Sequence, residues 1–525
     1  MKQRVIEHGQ LAVGQMKAVK VGSMPVLLVR TADAYHALPG RCTHRPRPLV
    51  KGTLHGTRLM CPRHQAAFDV RTGDALEPPA LDGLPTFDVD VEDGGVFVTV
   101  PEGAGDRRLM PLGGRDPDDE RLFVIVGAGG AGAVAAETLR GAGYGGRLVM
   151  LSRESHRPYD RPHCSAGLLT GRLASDELPL RDDAFYAEHG IERRHGTVVG
   201  LDAGSRALTL EDGEEYEPDA VLVATGGTPN RLPVPGGDLE GVFTLRSIDD
   251  GEEILAAARG KDTAVVIGAS FIGLEVAASL RELGIETTVV APEQLPLERV
   301  FGARVGRRIQ RLHEDRGVRF RLGSGVAEIR GDAGVDGVAL GDGEELSAHF
   351  VVLGVGVRPA SGFVRGLELE RDGGVAVDDQ FRALGAAGVW AAGDVAHYPD
   401  PYTGRRVRVE HWRIAQQQGK AAALSMVGKG SPFHGVPFFW TQQYRLAIGY
   451  VGIGAGWDDL VIGGDVEADD FIAYYLEGGV PRAAAGTRET QLGAFAELMR
   501  IGRVPSASDL RRRPELDLRE LLAEE

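Results

Sequence analysis

Two cysteines and two histidines are spaced to hold a metal group: Cys42-Thr-His44, sixteen intervening residues, then Cys61-Pro-Arg-His64. Two thiolates and two imidazoles on two loops can place both sulfurs on one iron and both ring nitrogens on a second, a one-electron [2Fe–2S] site. Neutral imidazoles in place of thiolates remove negative charge. They raise the potential to roughly −150 to +300 mV, against about −400 mV for all-cysteine plant-type ferredoxins. A structural zinc uses the same ligand types and is the alternative. The third cysteine, Cys164, has no partner thiol or placed base and reads as a small packing residue. No C-x-x-C or C-x₄-C pair exists, which excludes a flavin-linked redox disulfide. His8, His36, His55 and His397 lack a partner at ligand spacing and read as surface or packing residues.

Two glycine loops carry the other chemistry. Gly127-Ala-Gly129-Gly-Ala-Gly132 follows the apolar run Leu122–Val126 and opens an alanine-rich stretch. Glycine there allows a tight turn and lets backbone N–H groups approach a pyrophosphate at a helix N-terminus. Glu154, at the end of the next expected strand, can accept a ribose hydroxyl. The second loop is Gly268-Ala-Ser270-Phe-Ile-Gly273-Leu-Glu275. Serine in the middle position still permits a phosphate to approach. Past the strand expected at 287–290 stands Ala291-Pro-Glu293, with no adjacent arginine. An acidic residue repels a 2′-phosphate, which favours NADH over NADPH. Val221-Leu-Val-Ala-Thr225-Gly226-Gly227 and Val389-Trp-Ala-Ala-Gly393-Asp394 look like the crossover and second FAD motif of two-dinucleotide flavoproteins, with Asp394 holding the ribityl chain or pyrophosphate.

These residues need at least three folded bodies to position them. A chain of 525 residues exceeds one core. Residues 1–100 alternate short strands and turns, as in Val26–Val29 and Val96–Val100, and read as an all-β domain. Residues 101–120 hold four glycines, three prolines, nine charged residues and no aromatic, and read as a linker. The β-α-β texture at 121 recurs near 263, predicting two Rossmann-like α/β domains: an FAD-binding one over 121–247 and 378–430, and an NAD(H)-binding one over 248–377. Residues 431–525 read as a small α+β domain ending in a helix over Glu489–Arg500. The fold class is therefore multidomain. A net charge of −16 argues against nucleic acid or an anionic membrane as partner. With no long apolar run and no apolar leader in the first ten residues, a cytoplasmic protein without a membrane span is expected.

The segments C-T-H-R-P-R-P-L, L-H-G-T-R-L-M-C-P-R-H and Phe68–Gly73 resemble the Rieske [2Fe–2S] domain of the soluble ferredoxin type, which favours the iron–sulfur reading over zinc. Residues 121–525 resemble the flavoprotein reductases that serve ring dioxygenases and P450s, through Pro158–Pro162, Gly354–Pro359, Glu410–Trp412 and Pro437–Trp440. The whole chain resembles the Rieske-fused, apoptosis-inducing-factor-like oxidoreductases. That resemblance implies that Arg161, Pro162 and Trp412 line FAD and that Trp440 lies near the isoalloxazine. Three departures stand out. Pro46 and Gln65 replace glycines of the cluster loops. Ala166 replaces a lysine that pairs with the glutamate corresponding to Glu275, the candidate catalytic residue, which leaves its carboxyl in need of a raised pKa or another donor. The implied activity is NADH-dependent reduction of FAD and then of the fused cluster, with electrons passed to an external acceptor such as an oxygenase or P450. A self-contained enzyme acting on a small molecule at the flavin, and an NADH redox sensor or scaffold, are the alternatives.

Overall fold

The computed structural model describes residues 1–523 and holds an all-β domain, two Rossmann-like α/β bodies and a C-terminal α+β domain. The first hundred residues form three small antiparallel sheets, of which the four-stranded one (Thr53–His55, Arg58–Met60, Ala67–Asp69, Ala75–Glu77) supports the second cysteine–histidine loop. Leu27, Leu38, Leu49, Leu59 and Phe68 are buried beneath the Cys42 and Cys61 loops, so the ligands sit on a packed floor.

The first parallel sheet runs in the spatial order 191–195, 147–152, 122–126, 220–223, 389–391. Its central strand, Leu122–Val126, is a continuous apolar run because both faces are covered. Helix α1 (Gly130–Gly141) follows directly. The second sheet, 242–244, 350–353, 263–267, 286–291, 319–322, repeats the plan with helix α2 (Phe271–Glu282). Val364–Arg365 already pairs with Leu201–Asp202 of the first body, ahead of the return expected at 378. Helix α3 (Trp412–Met426) then packs on α1. The C-terminal domain is a five-stranded antiparallel sheet carrying helix α4 (Glu489–Arg500), at the bounds read from the sequence, but it does not end there: two short helices, Ala507–Arg512 and Leu518–Leu522, follow.

Residues 101–120 contain no helix and only a single bridge, at Arg108. They form a strap, however, instead of a loose tether. Gly83 and Arg108 exchange two backbone hydrogen bonds of 2.9 Å, and Arg107 donates to Asp82 and to the Thr43 carbonyl. At the far end Gly113 and Asp116 bond to the Arg140 and Gly145 carbonyls. Composition indicated the absence of regular structure, but the arginine anchors tie the strap down. No helix among the described residues is long and apolar enough to cross a membrane.

Candidate active site

The two metal-ligand loops converge in pairs. The Cys42 and Cys61 thiols are hydrogen-bonded to each other, which lowers the Cys42 pKa and, together with burial, raises that of Cys61. Backbone N–H groups of His44 and Arg45 face the Cys42 sulfur, and those of Arg63 and His64 face Cys61. The loops thus supply donors to sulfur despite Pro46, which has none. The Nδ1 atoms of His44 and His64 lie 3.2 Å apart. Burial holds both imidazoles neutral, His44 at about 4 and His64 well below its ordinary value. Neutral imidazole is the ligating form. The side chains stand sulfur by sulfur and nitrogen by nitrogen, an arrangement that fits two irons, sulfurs on one and nitrogens on the other.

Beside these loops opens a cavity of about 1090 Å³ that reaches both glycine loops. Its wall includes Gly127, Gly129, Glu154, Arg161, Pro162 and Thr225 from the first body. Gly226, Gly393, Asp394, Trp412 and Trp440 line it too, and Ser270 and Glu275 come from the second body. Gly132 and Gly273 lie behind the wall, where only glycine fits. A Cβ at Gly132 would stand 1.9 Å from the Gly127 carbonyl oxygen, and one at Gly273 2.1 Å from that of Gly268. A Cβ at Gly129 would meet nothing within 4 Å, so this is the open cradle a pyrophosphate needs. Ser270 differs: its hydroxyl donates to the Gly354 carbonyl at 2.7 Å and accepts from the Gly273 N–H, capping α2. Gly268 and Glu293 are not on the cavity wall, and the Glu293 carbonyl accepts from the Gly323 N–H.

The polar side chains form fixed pairs. Arg161 donates to Glu154 at 2.7 Å and to the Arg246 carbonyl, while Tyr159 donates to the other Glu154 oxygen. Burial alone would raise the Glu154 pKa, but the Arg161 charge outweighs it and the carboxyl stays ionised. Arg246 donates to Asp394 at 2.6 Å. Glu275 accepts from the Ser165 and Thr441 hydroxyls at 2.6 and 2.7 Å. These donors stand where the family's lysine is absent, yet burial still pushes the Glu275 carboxyl above its ordinary range. Sequence reasoning thus anticipated both outcomes offered for this carboxyl, a raised pKa and substitute donors.

Trp440 joins the two halves. Its ring lies 4.4 Å, centroid to centroid, from the imidazole of His64 and 4.9 Å from that of His411. Asp160, in the Pro158–Pro162 segment, accepts from Arg45 at 3.1 Å and lies 3.9 Å from the His44 Nε2. Asp160, Arg246 and His411 were not singled out in the sequence. Asp160 and His411 sit inside quoted motifs and were within reach, whereas nothing local marks Arg246. Cys164 is buried in an apolar cluster, as expected of a packing residue, and no cysteine is in a disulfide.

Family models match the same three parts: the Rieske [2Fe–2S] domain at residues 1–88, pyridine nucleotide-disulphide oxidoreductase at 122–419 and the reductase C-terminal at 438–522. The chain belongs to the pyridine nucleotide-disulphide oxidoreductase family, as an FAD-dependent NAD(P)H oxidoreductase of ferredoxin-reductase type with its own Rieske cluster domain for electron transfer. Its relatives include human apoptosis-inducing factor 3, 36% identical over 505 residues, covering 93% of this chain and 82% of that protein. The ferredoxin reductase component of chlorobenzene dioxygenase from Cupriavidus is 36% identical over 319 residues, 61% of this chain and 77% of its own. The crystal structure of the ferredoxin reductase for the CYP199A2 system from Rhodopseudomonas palustris superposes with a TM-score of 0.73 at 30% identity, covering 77% of this chain and all of that one.

Proposed function

We propose that the protein is an NADH-driven reductase that passes electrons through its own cluster to an external acceptor of the oxygenase or P450 kind. The observation that carries this reading is the ring contact between His64 and Trp440 in the wall of the cavity that holds both dinucleotide loops. FAD held here would supply two-electron chemistry toward a nicotinamide and one-electron chemistry toward an iron–sulfur cluster. Gly127, Gly129 and Gly132 bring the N-terminus of α1 to the FAD pyrophosphate, and Gly226 and Gly393 allow close passage along the wall. Glu154, held by Arg161, presents a carboxylate to the adenosine ribose, and Asp394, held by Arg246, orients the ribityl end. Trp412 and Pro162 close the apolar sides. Ser270 receives NADH at the N-terminus of α2, and Gly268 and Gly273 shape the turn behind the wall. Glu275 is positioned by Ser165 and Thr441 to hold a proton beside the nicotinamide site. Cys42 and Cys61 hold one iron, and His44 and His64 the other. The relatives that serve a dioxygenase and a P450 system support the choice of acceptor class.

An anaerobic NADH titration of the purified protein, followed by absorbance and EPR, tests the reading. Flavin bleaching together with a Rieske signal at near-stoichiometric NADH is expected; a flavin that stays oxidised refutes it. Trp440→Leu should leave flavin reduction intact and slow appearance of the cluster signal about tenfold, because it removes the ring packed against His64. Equal rates in wild type and variant would remove Trp440 from the path.

A further inference from the structure

The histidine edge of the cluster site is covered within the chain itself, by Trp440 and Asp160. Electrons leaving for another protein need a different face. Next to the main cavity, sharing Arg47, Arg63 and Gln442 with it, lies an open groove that adds Arg172, Arg281, Arg316 and Arg445. Six guanidiniums face two carboxylates, Glu282 and Glu489, on a chain whose net charge is −16. The local sign is therefore the reverse of the molecule's.

Much of this charge is left uncompensated. Arg172 pairs with Glu282 and Arg63 with Glu489. Arg281 is fixed instead by the carbonyls of Arg316 and Ile285, and Arg316 by that of Leu312 and by lying 4.5 Å over the Tyr444 ring. Carbonyl anchors orient a guanidinium without neutralising it. Arg47 and Arg445 are exposed. The arginines come from the cluster loops, both α/β bodies and the C-terminal sheet, so the groove is complete only in the docked arrangement. Arg63 immediately precedes His64, and Arg47 lies three residues past His44. A partner seated here therefore rests against the cluster loops.

We infer that this groove is the docking site for an acidic face of the electron-accepting protein, which receives its electron at the Arg47 and Arg63 side of the cluster loops. The inference rests on the reading that electrons leave through the cluster. One electron passes from the reduced cluster to an oxidised one-electron acceptor, and no bond is made or broken. Charge complementarity of this kind acts mainly on the association rate and weakens with salt.

The test mixes reduced holoenzyme, in stopped flow, with plastocyanin as an acidic acceptor and with cytochrome c as a basic acceptor of comparable potential. The enzyme is reduced by NADH in one series and by dithionite in a second, so that a failure of NADH to reach the cluster is separated from a failure of the groove. Plastocyanin is expected to react faster than cytochrome c at low salt, with a rate that falls as salt rises. The double variant R172E/R445E changes two exposed residues that do not line the main cavity. It should slow plastocyanin about tenfold, spare cytochrome c and leave the NADH-generated EPR signal unchanged. Equal plastocyanin rates in wild type and variant, or equal losses with both acceptors, would overturn the proposal.

Discussion

At the scale of single residues, two departures from the family pattern have opposite consequences. Glu275 lost its lysine and took hydroxyl donors, which hold the carboxylate but do not cancel the effect of burial. The unfolded chain titrates this group near ~4.3, and the folded chain above that. Any stability tied to its protonated form is therefore present below that pH and lost as pH rises through the higher, folded value. Glu275→Gln does not titrate, so its melting temperature should gain on wild type across that window and then run parallel, which thermal melts from pH 4 to 8 would show. Gln65 has a left-handed backbone (φ 56°) where the family has glycine, and its buried amide has no hydrogen-bond partner among the described residues. Glycine removes about 1–2 kcal/mol of backbone strain and adds about 0.5–1 kcal/mol of chain entropy cost. Gln65→Gly should therefore stabilise the cluster domain by about 1 kcal/mol, measured as a higher urea midpoint; a lower midpoint would show that the amide is serving a role. The residue types and spacing made both positions legible in advance. What they could not convey was who replaced the lysine, because Thr441 lies 166 residues from Glu275.

At the scale of elements, the shape of the cavity at the first glycine loop depends on how closely α3 crosses α1. A Cβ on Gly419 would stand 2.1 Å from the Ala131 carbonyl oxygen, and the Trp412 ring already lies about where a Cβ on Gly130 would touch it, at 3.1 Å. The same crossing lets the Gln418 side chain accept from the Gly393 N–H at 2.8 Å. Gly419→Ala must push the helices apart, at a cost of about 3 kcal/mol. The purified variant is expected to lose FAD content and to melt earlier; full occupancy would mean that the crossing is not what shapes the site. Periodicity alone located the strands at 122–126 and 263–267 and the helix over Glu489–Arg500, because each carries a strong, local apolar signature. The crossing itself left no such trace: a glycine in mid-helix reads only as a weak helix former until its neighbour is known.

At the scale of the whole molecule, the cluster domain is clamped to the reductase by a buried ionic junction. Arg413 of α3, 1% exposed, donates to Glu77 at 2.6 Å and to the Gln65 carbonyl, and Arg58 pairs with both Glu77 and Glu497 of α4. Burial alone would raise the Glu77 pKa, but Arg58, Arg413 and Lys420 hold it at about 2. The stability it contributes is present above the ordinary glutamate range and is lost as pH falls from there toward 2. Acid titration should therefore separate the domains in that window, seen as loss of NADH-driven cluster reduction before flavin is released. Glu77→Gln should show the weakened coupling already at pH 7, since Arg413 is then left buried without its anion. The sequence marked the modules and their order. It was silent on the clamp, whose residues lie far apart in the chain; His55, taken for a packing or surface residue, donates from Nδ1 to Glu497 at 2.9 Å.

That junction also sets a schedule for synthesis. His55 and Glu497 are 442 residues apart in the chain. At ribosomal rates of about 5–20 residues per second, roughly 20–90 s pass between the emergence of the cluster domain and of the helix that completes its seat. Throughout that interval the domain is free to fold and to receive its iron on the solvent side of loops that later face the main cavity.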